Sequence, residues 1–187
     1  LLYTLSDFVD LIVYYVVGYR KETVRKNIAL ALPHLSDAER LVIEKKSFQH
    51  LCDMFLEMIK TMNISEKEIK KRFVLTNVEV LKKLEEQNKS IALMLAHYAS
   101  YEWVISMNYY SSHRSTAIYK KIANPYFDKL VRDIRSRFKA SLVTTKETVP
   151  TIIKNKNSNI LALYGFASDQ SPKAESAYHW QKFMGIE

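Results

Sequence analysis

The stretch Ile91–Trp103, IALMLAHYASYEW, decides how the chain is read. With Ser90 its first half forms Ser90–Ala96 (SIALMLA), a short unbroken apolar run of the kind that suits a strand buried on both faces of a parallel sheet. His97 leaves that run, and Glu102 follows five residues later. On one continuous helix a spacing of five turns the second side chain about 140° away from the first. The two can therefore meet only across a turn, as at a strand-to-helix junction. There a carboxylate can accept one imidazole N–H, fix the tautomer and leave the other ring nitrogen as a base. Backbone N–H groups at the start of the following helix would help a developing oxyanion. No Ser or Cys nucleophile is required, because an acceptor hydroxyl can attack a thioester directly.

Outward from this segment the pattern alternates. Val78–Asn88 is an amphipathic helix, Tyr101–Tyr110 is helical, Ser115–Tyr119 is strand-like and Tyr126–Phe138 is helical. Ser141–Val143 gives a short strand, Lys146–Lys156 a helix, and Asn159–Phe166 (NILALYGF) another buried strand. Such alternation predicts an α/β fold around a largely parallel sheet, with reactive groups beyond the carboxyl ends of strands. Two strands lead to polar clusters there: His97, and Ser168-Asp169-Gln170.

A helical subregion comes first. Leu1–Gly18 (LLYTLSDFVDLIVYYVVG) is apolar and aromatic but carries Asp7 and Asp10, and is shorter than the roughly twenty apolar residues of a membrane span. It reads as the cut end of an anchor, an interfacial helix or a buried helix. Tyr19-Arg20-Lys21, with Arg25 and Lys26, suits an anionic surface. Pro33 closes the next helix, and Ser36 with Glu39 forms a capping box for the one after it. In that helix Leu41, Phe48, Leu51, Cys52, Phe55, Ile59 and Met62 recur at helical spacing and would face a core or a membrane. Ser65–Arg72 is a short charged helix. The expectation is one domain over 1–187: a membrane-proximal helix to 18, a helical region at 19–72 and an α/β catalytic core at 73–187. It reads as incomplete at both ends, with the C-terminal portion that would complete the sheet missing.

Composition narrows the partners. The 187 residues are 48% apolar, with three Gly, four Pro and a formal net charge of +8. That is globular composition with a preference for an anionic partner: nucleic acid, anionic lipid or a phosphate-bearing substrate. Cys52 is the only cysteine, which excludes an internal disulfide and a cysteine-based zinc site. His34, His50, His113 and His179 have no partner at metal-ligand spacing, so no metal is expected. Three scattered glycines make no phosphate loop.

Several blocks together resemble a known family. His97 and Glu102 resemble the H-x-x-x-x-(D/E) motif of glycerolipid and lipid A acyltransferases. Arg25–Arg40 (RKNIALALPHLSDAER), Ile118–Arg137 (IYKKIANPYFDKLVRDIRSR), Ala167–Pro172 (ASDQSP) and the Trp180…Phe183…Gly185 stretch are similar, in order and spacing, to blocks of the bacterial lipid A biosynthesis acyltransferase family. The family commonly has Gly-Asn-Trp where Ala99, Ser100 and Tyr101 stand, and Arg-Pro where Lys120 and Lys121 follow Tyr119. The resemblance implies that His97 is the general base and Glu102 its supporting acid. It implies Arg135 at the phosphate of a substrate, with Arg137 and Lys120 as further phosphate candidates, and Asp169 and Gln170 in the site's architecture. It implies no cofactor. It also implies a thioester donor on acyl carrier protein or coenzyme A, a lipid A precursor or related lipid as acceptor, and the cytoplasmic face of a bacterial inner membrane. Two other classes compete. A non-catalytic membrane module explains the charge and the first helix but gives no reason for His97 and Glu102. A nucleic-acid binder fits the charge, but its bases are dispersed and no recognition motif is present.

Overall fold

The computed structural model describes residues 1–170, 175 and 177–183; Ser171, Pro172 and Gly185 of the quoted blocks lie outside the described residues. The chain divides into two compact units, one holding Leu1–Ile59 with the described C-terminal residues, the other Lys60–Gln170.

The second unit is α/β. Its strands β1 (Ile91–Leu95), β2 (Arg114–Tyr119), β3 (Ser141–Thr144) and β4 (Ala162–Ala167) form one all-parallel sheet in the order β1-β4-β2-β3. β4 is paired on both sides and carries a fully buried stretch, Ala162–Tyr164, which explains its apolar run NILALYGF. β1 corrects the expectation of a strand buried on both faces: it lies at the sheet's edge, its residues alternate between part-buried and exposed, and Met94 is 64% exposed. An apolar run tells of apolar side chains and not of how many faces are covered.

Local chemistry sets the helix ends. Ser65 caps the helix Glu66–Arg72 by accepting from the Glu68 N–H at 3.2 Å. Asn124 caps Pro125–Ser136 by accepting from the N–H groups of Tyr126 and Phe127, with Pro125 in the first turn, where its missing N–H costs nothing. The segment Tyr101–Tyr109 is helical but winds as a 3₁₀ helix. It buries Trp103 against Ile64, Ile69 and Phe138, which form the core on that side of the sheet.

The first unit buries polar side chains, Ser6, Glu44 and Glu57, beside apolar ones, Tyr14, Phe48 and Cys52. The helix Leu2–Leu11 continues as a π-helical stretch, Ile12–Val17, and ends at Gly18 in the left-handed conformation, φ 63°. Its polar side chains meet the long helix Asp37–Lys60. Tyr3 Oη donates to Glu57 at 2.8 Å, Tyr14 Oη donates to Glu44 at 2.7 Å, and Gln49 donates to Asp7 at 3.1 Å. Arg25 closes on the second oxygen of Glu44 at 2.8 Å. Burial works against the charge on Glu44, but the bonds from Arg25 and Tyr14 outweigh it and hold the carboxyl low. Asp10, which interrupts the apolar run, is half-buried on this unit; burial first, then the charges of Asp7 and Asp53, push its carboxyl up. Leu5, Phe8, Leu11, Tyr15 and Val16 are left exposed. The expected stripe on the long helix divides the same way, with Phe48 and Cys52 buried and Leu41, Phe55 and Ile59 exposed. The capping box forms: Ser36 N–H and Oγ donate to the Glu39 carboxylate, and Glu39 N–H returns to Ser36 Oγ.

The core makes a testable claim. Phe138→Ala should lower unfolding stability by about 3–5 kcal/mol in denaturant titration, whereas Tyr126→Ala, at an exposed position, should change it by less than about 0.5 kcal/mol. Equal losses would mean that Phe138 is not where the second unit keeps its core.

Candidate active site

Parallel pairing of β1 with β4 sets Leu95 opposite Ala167, so the two strands end side by side. The residues just beyond them meet. Asp169 takes His97 at two points: its Oδ2 accepts the His97 backbone N–H at 3.0 Å, and its Oδ1 lies 2.8 Å from His97 Nδ1. The Ser168 N–H also donates to the Leu95 carbonyl at 3.1 Å, tying the two exits together. Each side chain of the pair is one-third exposed. The hydrogen bonds from His97, ring first and then backbone, hold the Asp169 carboxyl below its ordinary value. An ionised carboxylate only accepts, so the proton between them belongs to His97 Nδ1, and in the neutral ring Nε2 is the acceptor.

A tight turn follows. Tyr98 N–H donates to the Ala96 carbonyl, and Tyr101 N–H to the Ala99 carbonyl at 2.8 Å. Ala99 takes φ 48°, a left-handed conformation that glycine adopts at no cost. The 3₁₀ helix then starts at Tyr101, whose ring stands edge-on to the His97 ring, centroids 4.7 Å apart. Burial first, then the charge of Glu102, pushes the Tyr101 hydroxyl up, so it stays protonated.

Glu102 pairs elsewhere than expected. Both its oxygens are held by the Arg135 fork, Nε to Oε2 at 3.0 Å and Nη2 to Oε1 at 2.5 Å. The pair is largely buried, with Glu102 side chain 11% and Arg135 20% exposed. Bidentate geometry of this kind fixes both planes and balances a charge that burial alone would penalise.

His97, Tyr101, Glu102 and Arg135 line one cavity of about 530 Å³, together with Lys120 and Gln170. The rest of its wall is chiefly apolar, with Leu93, Leu95, Ile105, Ile118, Leu163 and Phe166. The structure thus brings five of the seven expected residues to the cavity wall and places Asp169 directly behind His97. Arg137 is engaged otherwise: its Nη1 donates to the Thr61 carbonyl at 2.8 Å. Ser115, not singled out from the sequence, also lines the cavity, and its buried hydroxyl has no partner among the described residues. A serine in a strand gives no signal of that kind in advance. Among the described residues no group of three or more His, Cys, Asp and Glu could hold a metal ion.

The sequence profile of a family described as bacterial lipid A biosynthesis acyltransferase matches residues 1–184. The chain belongs to that family. Among curated proteins none matches. Membership makes the chain one of the acyltransferases of lipid A biosynthesis, a membrane-associated family whose substrates are an acyl donor and a lipid acceptor. No helix among the described residues is long and apolar enough to cross a membrane.

The grip of Asp169 on His97 can be read by titration. The stabilisation it gives is present above the ordinary aspartate pKa and is lost as the pH falls through the lowered folded value. Carboxyl-carbon NMR should place the Asp169 midpoint below 3.8 in the unmodified chain and return it towards 3.8 in His97→Ala. A midpoint at or above 3.8 in the unmodified chain would contradict the bond.

Proposed function

We propose that this lipid A family acyltransferase moves a fatty acyl group from a thioester to a lipid hydroxyl, with His97 as general base. The observation that carries the reading is the two-point bond from Asp169, which holds Nδ1 of His97 and so makes Nε2 the acceptor of the neutral ring, at the wall of a cavity suited to an acyl chain. The acceptor oxygen attacks the thioester carbonyl while His97 Nε2 removes its proton. The tetrahedral intermediate then collapses, the carbon–sulfur bond breaks, and the imidazolium returns the proton to the leaving thiolate. Asp169 orients His97 and offsets the imidazolium charge. Glu102 acts across the cavity by holding Arg135, whose guanidinium balances negative charge on the substrate or the developing oxyanion. Lys120 and Gln170 line the cavity where the polar part of a substrate would sit. The donor is a thioester on acyl carrier protein or coenzyme A, and the acceptor a lipid A precursor or a related lipid.

For the membrane we propose that the first unit's exposed Phe8, Leu11, Tyr15 and Val16 lie in the interface of a bacterial inner membrane at its cytoplasmic face. Arg20, Lys21 and Lys26 would stand among the headgroups. An interfacial pose suits a segment whose Tyr3, Asp7 and Tyr14 are already bonded on its other side.

Lipid mass spectrometry on a bacterial host tests the chemistry. Expression of the chain should add a lipid species heavier by one acyl group, and His97→Ala at equal abundance should remove it, a loss of at least about 10²–10⁴ in rate. Asp169→Asn should cost about 10²-fold in kcat with folding unchanged, by allowing the wrong tautomer. Identical lipid profiles from chain and variant, both folded and at the membrane, would count against catalysis.

A further inference from the structure

One side chain meets both charged pairs of the site. The Tyr101 ring stands against the His97 ring, with centroids 4.7 Å apart and planes at 71°. Its hydroxyl is bonded to the Glu102 carboxylate, and the charges of Arg135 and Asp169 also act on it. His97 is otherwise held by Asp169 and Glu102 by Arg135, so Tyr101 joins the two pairs. Tyr101, His97, Glu102 and Arg135 all line the same cavity.

Local structure puts Tyr101 there. The turn after His97 passes through Ala99 at φ 48°, and the Tyr101 N–H donates to the Ala99 carbonyl at 2.8 Å. The 3₁₀ helix begins at Tyr101, and two residues on, Trp103 is buried against Ile64, Ile69 and Phe138. Trp103 thereby ties the main chain to the core, and the Tyr101 side chain lies back against His97.

A phenol that only filled space would leave its hydroxyl to water. This hydroxyl is desolvated: burial first, then the charge of Glu102, raises its pKa. Burying a hydroxyl costs free energy unless it is bonded. Glu102 does not need the bond for charge balance, because the Arg135 fork already holds both its oxygens. What the bond adds is geometric. It ties the ring packed on the base to the pair that carries the fixed cation.

We propose that Tyr101 is a positioning residue: its ring sets the orientation of His97, and its hydroxyl sets the distance from His97 to the Glu102–Arg135 pair. The base and the cation then engage one substrate at once. The proposal rests on the reading of His97 as general base. Tyr101 gives up no proton in it.

The test uses the full chain with Tyr101→Phe, which keeps the ring and removes the hydroxyl, and Tyr101→Leu, which removes both. Glu102→Ala and the double variant Tyr101→Phe/Glu102→Ala complete a cycle. Two quantities are measured: the rate at which a bacterial host gains the lipid heavier by one acyl group, at equal protein abundance, and the exchange of the His97 Nδ1 proton with water, by NMR without substrate. Tyr101→Phe should lower the rate about tenfold and Tyr101→Leu about 10²-fold, since a misplacement of about 1 Å costs that much. The thermal unfolding midpoint of Tyr101→Phe should be unchanged. Proton exchange should quicken about tenfold in Tyr101→Phe and by more in Tyr101→Leu. Glu102→Ala should quicken it about as much as Tyr101→Phe, and the double variant no further, because both changes cut one link. Tyr101→Phe within about twofold of the unmodified chain in both measurements overturns the proposal. So do factors that multiply in the double variant, which mark independent effects. Tyr101→Phe removes only an oxygen, so its comparison with Tyr101→Leu still decides if Glu102→Ala does not fold. Host lipids left unchanged by the unmodified chain defeat the acyltransferase reading alone, since proton exchange still decides whether Tyr101 links the pairs.

Discussion

Everything at the site depends on one carboxylate reaching across two parallel strands. β1 and β4 leave the sheet as neighbours, and Asp169 bonds both the main chain and the ring of His97. The two-point bond fixes where the backbone leaves β1 and which way the ring faces. The position of the cavity's base is therefore a property of sheet order, set by residues 72 positions apart.

Around that bond the charges fall into two separate pairs. The one-third exposed His97–Asp169 pair can exchange protons with what enters the cavity, while the more buried Glu102–Arg135 pair is rigid and already neutral. This division suits a reaction in which one group must change charge and another must stay charged. The apolar part of the cavity wall gives a hydrocarbon chain a place.

Much of the fold was legible in the sequence, and the reasons are physical. Capping residues and apolar strands are local signals, so Ser36 with Glu39 and the strand around Ala162–Tyr164 were each visible beforehand. Burial on the second face of β1 was not, since that depends on the strand's neighbours. At the site, His97, Glu102, Arg135, Lys120, Asp169 and Gln170 could be picked out, chiefly through likeness to a family. Their pairing could not. A spacing of five suggested that Glu102 serves His97, but an arginine on a helix 33 residues further on holds both its oxygens. Long-range geometry decides such partnerships, and the Ser115 hydroxyl, without a partner among the described residues, belongs to the same class of facts.

The central claim is that Asp169 leaves His97 with a free Nε2 facing chemistry. Nitrogen-15 NMR of the His97 ring near neutral pH tests it most directly. The account predicts that the neutral form of the ring carries its proton at Nδ1, a preference that Asp169→Asn weakens. A ring protonated at Nε2, or one whose tautomer is indifferent to Asp169→Asn, would contradict it.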